Sequence, residues 1–177
     1  RRGTSGPPST RTFQKTSGFT TISAGGRSSL AIDTNGDAWG WGHNEYGQVG
    51  DGEFGSVNDR LVPTEVKMPT GVTFIAISAG YRHSLAIDQK GDAWGWGGDA
   101  YGQVGNDANA NLILAAPTRV EVPSGFTFTS ISAGDYHSLA LDQEGDAWGW
   151  GMNHDGQVGD GTTDRRYVPT AVTMPLP

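Results

Sequence analysis

The sequence predicts an all-β chain of three tandem four-stranded units, and three observations carry that prediction. A block reading Gly-Asp-Ala-Trp-Gly-Trp-Gly begins at Gly36, Gly91 and Gly145, so the spacings are 55 and 54 residues. Three further markers keep the same beat: Ile-Ser-Ala-Gly from Ile22, Ile77 and Ile131, Gly-Gln-Val-Gly from Gly47, Gly102 and Gly156, and Pro-Thr at Pro63, Pro117 and Pro169. Within each unit the apolar residues alternate with period two, and no stretch keeps a 3.6-residue period, which excludes helical solenoids.

Each element follows from its residues. Phe-Thr-x-Ile-Ser-Ala-Gly reads as the first strand, and runs such as His83-Ser84-Leu85-Ala86-Ile87-Asp88 as the second. The turns Asp33-Thr34-Asn35-Gly36, Asp88-Gln89-Lys90-Gly91 and Asp142-Gln143-Glu144-Gly145 set Gly where positive φ is required, with Asp able to bond its own backbone. The third strand, Asp92 to Gly97, alternates Asp92, Trp94 and Trp96 with Ala93, Gly95 and Gly97, giving a bulky face and a bare face that lets another sheet approach. A fourth strand is expected to start at each proline, as in Pro63–Met68, where the missing N–H costs no ladder bond. Four short strands per unit of this length are the building blocks of a β-propeller.

Composition bounds the function. Charged residues make up 18% of the chain without long runs of either sign, so a folded domain is expected. The net charge of −7 argues against nucleic acid and anionic membrane surfaces as partners, and no apolar run is long enough to insert in a bilayer. With no cysteine there are no disulfides and no thiolate metal sites. No nucleophile elbow, His-Glu-x-x-His or phosphate loop is present, so no catalytic, cofactor-binding or metal residues are assigned and the chain is read as a non-enzyme.

The segment Ile77–Gly105, ISAGYRHSLAIDQKGDAWGWGGDAYGQVG, resembles the repeat of the regulator-of-chromosome-condensation family, and it recurs three times between Phe19 and about Met174. One departure stands out: Ser28 occupies the place of His83 and His137. The resemblance implies a propeller of usually seven blades. Residues 1–18 then read as the last strand of a preceding blade, with repeat blades at 19–70, 71–123 and 124–177. Three blades cannot close a ring, so a partial propeller is expected, its remaining blades supplied by a longer chain or by a second copy in an oligomeric ring. The initial Arg fits a trimmed fragment. The acidic, Trp-rich copies look like bacterial members, for which an extracellular or cell-surface location is favoured.

Repetition separates architecture from function. His83 and His137, together with Trp39, Trp41, Trp94, Trp96, Trp148 and Trp150, recur in register and are read as structural rather than as ligands or sugar platforms. His43 and His154 are read as surface residues. The Asp-x-x-Gly-Asp turns lack a full series of calcium ligands and are read as turn-forming, Asn35 making the first copy the best calcium candidate. The variable loops bear the candidate partner-binding residues Tyr46, Phe54, Tyr101, Leu112, Ile113 and Tyr167, which are of interface type. The expected function is non-catalytic binding or scaffolding of a protein partner. The alternatives are carbohydrate binding at a Trp- or Asp-bearing pocket and, as the resemblance implies for eukaryotic relatives, nucleotide exchange on a small GTPase.

Overall fold

The computed structural model describes residues 18–107, 112–123 and 125–174, and the expected remnant strand in residues 1–17 lies outside them. Twelve strands form three four-stranded sheets. The first holds β1 (Phe19–Ala24), β2 (Ser28–Asp33), β3 (Ala38–Gly42) and β4 (Arg60–Glu65). The second holds β5 (Phe74–Ala79), β6 (His83–Asp88), β7 (Ala93–Gly98) and β8 (Ile113–Arg119), and the third β9 (Phe128–Ala133), β10 (His137–Asp142), β11 (Ala147–Gly151) and β12 (Arg166–Ala171). Within each sheet the strands pair antiparallel in chain order, as a simple meander. No helix among the described residues is long and apolar enough to cross a membrane.

The Asp of each β2–β3-type turn does more than shape the turn. Asp88 Oδ1 accepts the N–H of Lys90 and of Asp92, while Oδ2 accepts Trp94 Nε1–H at 3.0 Å. Asp33 with Trp39 and Asp142 with Trp148 repeat the arrangement at 3.2 and 2.9 Å. The first Trp of each strand is thus tied to the turn of its own sheet. The bare face receives the next sheet at Ala38 and Ala93, and at its central glycine it also admits the unit's own Gly-Gln-Val-Gly turn. A Cβ at Gly40, Gly95 or Gly149 would lie 2.4, 2.7 or 2.5 Å from the carbonyl of Val49, Val104 or Val158, so only glycine admits that turn.

The prolines require a correction. Pro63, Pro117 and Pro169 fall inside β4, β8 and β12 rather than at their starts. These are edge strands, and the register breaks between Gly40/Gly42, Gly95/Gly97 and Gly149/Gly151 open the ladder there, so the missing N–H is tolerated.

The second Trp of each strand belongs to the neighbouring sheet. Trp96 packs with Phe74, Ala79 and Ala86 against Leu30, Ile32, Ala38 and Val66 of the first sheet. Trp150 packs in the same way against Leu85, Ile87, Ala93 and Val120 of the second. One set of four hydrogen bonds accompanies each junction. Trp96 Nε1–H and Trp150 Nε1–H donate to the carbonyls of Gln48 and Gln103 at 3.0 and 2.9 Å. Ser84 and Ser138 hydroxyls donate to the same carbonyls at 2.8 and 2.7 Å. The N–H groups of Ala79 and Ala133 donate to Ser23 and Ser78 Oγ, and those of Phe74 and Phe128 to the carbonyls of Gly36 and Gly91.

Among the described residues no sheet precedes that of Trp41, which is only partly buried, whereas Trp96 and Trp150 are fully buried. Replacing Trp96 by Ala removes a full indole and its cross-sheet bond, and is expected to cost about 3–5 kcal/mol. Trp41→Ala is expected to cost less, about 1–2 kcal/mol, because the ring is only partly buried. Urea unfolding of the two variants against the parent checks the difference.

Candidate protein-binding face

The meander sends two kinds of connection to one end of every sheet: the turn between its first and second strands and the long loop after its third. That end gathers the residues that vary between copies, while the opposite end bears the invariant Asp–Trp turns. The short turns read Gly26-Arg27, Tyr81-Arg82 and Asp135-Tyr136. The long loops carry Tyr46, Tyr101, His154 and Arg165.

These side chains form a continuous ladder. The Arg82 guanidinium lies 4.3 Å from the Tyr46 ring centre, 5.2 Å from Tyr136 and 5.8 Å from Tyr81. Tyr136 meets Tyr81 and Tyr101 edge-on at 6.0 and 5.2 Å. Arg165 stands 4.7 Å over Tyr101, whose ring His154 meets edge-on, and Arg27 lies 5.9 Å from Tyr81. The six described arginines divide cleanly. Arg60, Arg119 and Arg166 are paired with Asp51, Asp92 and Asp160, whereas Arg27, Arg82 and Arg165 stack on tyrosines with their charge uncompensated by a carboxylate. The three described arginines without an ion pair thus gather on one aromatic surface of an acidic chain.

A pocket of about 180 Å³ opens in this surface, lined by Tyr46, Arg82, Asp99, Gln103, Leu112 and Ile113 among others. Arg82 Nε, Asp99 Oδ2 and Gln103 Nε2 are buried without a hydrogen-bond partner. The neighbouring copies explain why. In the first sheet the Gln48 amide meets His43 Nδ1 at 3.0 Å, but Gly98 stands where His43 would be. Asn44 and Asn153 amides tie their loops through the carbonyls of Glu53 and Asp164, whereas Asp99 has no amide to give. Burial pushes the Asp99 carboxyl up to about 6, against the Val104 N–H that it accepts.

Of the other sequence candidates, Leu112 and Ile113 line this pocket, whereas Tyr167 and Phe54 do not. Ile113 and Tyr167 tuck back onto the preceding sheet, where they lie against Gly47 and Gly102. Leu112 is exposed at the pocket rim, and Phe54 is exposed apart from the ladder. His154 is exposed, but His43 is partly buried and held by Gln48, a correction to its reading as a surface residue. The sequence reading missed Arg27, Tyr81, Arg82, Tyr136 and Arg165. Differences between copies in the turn before each His-Ser-Leu-Ala strand were the available signal.

Of the two repeated histidines, His83 is fully buried and tied across the sheet junction. Ser138 spends its hydroxyl proton on the Gln103 carbonyl, so His83 must carry its proton on Nε2 to meet Ser138 Oγ at 2.9 Å. The tie runs to the next sheet's strand, not to a turn. Burial first, and His137 second, lower the His83 pKa to about 3, and burial also lowers that of His137. Ser28, in the corresponding position of the first sheet, is too short to repeat the tie, and its buried hydroxyl has no partner. Trp39, Trp94, Trp96, Trp148 and Trp150 all spend their N–H within the protein, and Trp96, Trp148 and Trp150 are buried. Asp142, Glu144 and Asp146 draw together in the third copy rather than the first, and Asp142 is already saturated by Glu144 N–H, Asp146 N–H and Trp148.

Three packed meanders with a repeated lateral junction and a variable end define a segment of β-propeller. The chain belongs to the regulator of chromosome condensation (RCC1) repeat family, whose sequence pattern matches residues 35–87, 90–141 and 144–176. It is 34% identical to the ultraviolet-B receptor UVR8 of Arabidopsis thaliana, over 87% of this chain and 34% of that protein. It is 32% identical to the probable E3 ubiquitin-protein ligase HERC4 of Homo sapiens, over 87% of this chain and 14% of that one. Two solved structures of the yeast protein Prp20 superpose with 26% identity: that of yeast RCC1 (Prp20) bound to Kap60, TM-score 0.77, and that of Prp20p from Saccharomyces cerevisiae described with its binding to Gsp1p and histones, TM-score 0.79. These cover 88% of this chain and 37% and 38% of theirs. The chain thus spans about a third or less of the relatives it matches. All of these relatives are eukaryotic, and none supports the expected bacterial, secreted character.

Two buried titratable groups, His83 and Asp99, pull stability in opposite directions with pH. His83 has a folded pKa of about 3 against 6.5 unfolded, so stability is lost as pH falls from 6.5 towards 3. Asp99 has a folded pKa of about 6 against 3.8, so its penalty is full above 6 and is relieved as pH falls to 3.8. Urea midpoints taken from pH 8 to 4 are expected to fall less steeply below pH 6.5 in His83→Ser than in the parent. Asp99→Asn is expected to be more stable than the parent at pH 8 and to lose that advantage by pH 4.

Proposed function

We propose that the chain is a non-catalytic protein-binding module whose docking surface is the Tyr–Arg ladder. The observation that carries this reading is the stacking of Arg82 over Tyr46, Tyr81 and Tyr136, with no carboxylate to neutralise it. Tyr and Arg dominate interface hot spots because each buries a large planar area at little loss of side-chain freedom. Free positive charge on an otherwise acidic surface selects an acidic segment and steers its approach. The unpartnered Arg82 Nε, Gln103 Nε2 and Asp99 Oδ2 supply two donors and an acceptor for polar groups of that segment. The solved relatives support the reading, since the yeast protein is described with Kap60, Gsp1p and histones as binding partners.

Nucleotide exchange on a small GTPase and carbohydrate binding are the competing functions. No observation of this chain favours the first, and for the second three of the six indoles are buried. A peptide of alternating Asp, Glu and Gly, titrated into the chain by NMR, is expected to shift the Arg82, Tyr46 and Tyr101 resonances. Binding is expected to weaken at least about tenfold in Arg82→Glu and to fade with added salt. Shifts confined to Phe54, or faster GDP release from a GTPase on adding the chain, would count against the proposal.

A further inference from the structure

The position that follows Gly42, Gly97 and Gly151 holds His43, Gly98 and Met152, so of the three copies only the second has no side chain there. In the first copy that side chain is engaged on both sides. Gln48 Oε1 accepts the Tyr46 N–H at 2.9 Å, which turns Gln48 Nε2–H towards the ring and makes His43 Nδ1 the acceptor, at 3.0 Å. The other ring nitrogen lies 3.4 Å from the Glu45 carboxylate. The imidazole thus stands between an amide donor and a carboxylate.

The second copy offers both groups and lacks the ring. Gln103 Oε1 accepts the Tyr101 N–H at 2.9 Å, as Gln48 accepts that of Tyr46, so its Nε2 is turned the same way; that nitrogen is buried without a partner. Ala100 stands in the place of Glu45, but Asp99 brings a carboxylate one residue earlier. Its Oδ1 takes the Val104 N–H, and its Oδ2 is buried without a partner. Gln103 and Asp99 are 0% and 1% exposed. With Gly98, Tyr46, Leu112 and Ile113 they line the cavity of about 180 Å³. A drug-sized ligand needs roughly 300–1,000 Å³, so this cavity has room for a single side chain. That side chain has to accept from Gln103 and donate to Asp99. A carboxylate has no proton for Asp99 and an ammonium no lone pair for Gln103, whereas a neutral imidazole has one nitrogen for each.

We propose that the cavity at Gly98 is the seat of a histidine of the protein partner, one ring nitrogen accepting Gln103 Nε2–H and the other donating to Asp99 Oδ2. The partner thereby supplies from outside the imidazole that His43 supplies within the first copy. The inference rests on the Tyr–Arg ladder reading for the segment that carries the ring: an acidic segment docked on Arg82 and Tyr46, which border the same cavity.

Three peptides of Asp, Glu and Gly with one central His, Gln or Ala test it, titrated by NMR at about pH 8, where Asp99 is ionised and a histidine ring is neutral. The His peptide is expected to bind at least about tenfold more tightly than the other two and to shift the Gln103 side-chain NH₂ signals. In Gly98→His the chain fills its own seat, the nearest obstacle to the new Cβ being Tyr46 Cβ at 3.3 Å. With its fold checked by circular dichroism, that variant is expected to bind the three peptides alike. Blocked histidine, N-acetyl-histidine methylamide, probes the seat without the ladder and is expected to shift the same Gln103 signals in the parent. If the acidic peptides fail to bind while blocked histidine shifts Gln103, the ladder reading falls and the seat stands. Peptides that bind equally well with His or Ala leave the ladder reading standing and overturn this one. A Gln peptide that binds as tightly as the His peptide, or blocked histidine that leaves Gln103 unshifted, overturns it too.

Discussion

The fold depends on one contact: an indole from each sheet buried against the sheet before it, with its N–H on a glutamine carbonyl. The bond alone is worth about 1 kcal/mol, but the ring that carries it displaces a large apolar area from water and fills the gap between two sheets. No four-stranded meander can bury both of its faces alone. Trp96 and Trp150 solve this by making each sheet the floor for its neighbour. Gly50 and Gly105 are the matching constraint, since a Cβ at either would sit 2.6 or 2.7 Å from the indole nitrogen.

That dependence explains what the sequence revealed. A contact that must be repeated at every junction imposes its residues on every copy, so strands, turns and sheets were legible from the 54–55-residue beat. Asp88 and Trp94, six residues apart, recur in each copy because the turn and the third strand share one bond. What the beat could not show was direction. Alternation placed Trp94 and Trp96 on one face, yet Trp94 bonds its own sheet and Trp96 the preceding one, a distinction that needs the neighbouring sheet in place. The edge prolines were misplaced for a related reason. A local rule puts proline at a strand start, but the register break beside Gly97 makes room for Pro117 further in.

The binding face was half legible. Tyr46 and Tyr101 stood out as aromatics in variable loops, whereas Ile113 and Tyr167, equally apolar, are held against the preceding sheet. Apolar character cannot separate the two cases, because a clasp between sheets and a partner contact draw on the same residues. The arginines were harder still. Arg82 is two residues from the invariant Gly80, and its value lies in standing over rings contributed by three different sheets, a geometry with no counterpart in linear spacing.

Departures between copies, rather than the copies themselves, then carry the chemistry. At Ser28 a shortened side chain removes a tie between the first two sheets. At Gly98 and Asp99 the second sheet gives up both the imidazole and the amide that satisfy Gln48 and close the loop in the first. Each loss leaves a buried polar atom unpaired, which costs about 1–3 kcal/mol unless something else satisfies it. The lateral junctions supply the stability that tolerates such losses, since the indole and serine bonds to a glutamine carbonyl are made at both. Two of the three losses fall under Tyr46 and Arg82, the one place on this face where arginine, tyrosine and unpaired polar groups meet. A scaffold that repeats its stabilising contact at every sheet is thereby free to leave one end of one sheet unsatisfied, which is the physical condition for a partner to be bound there.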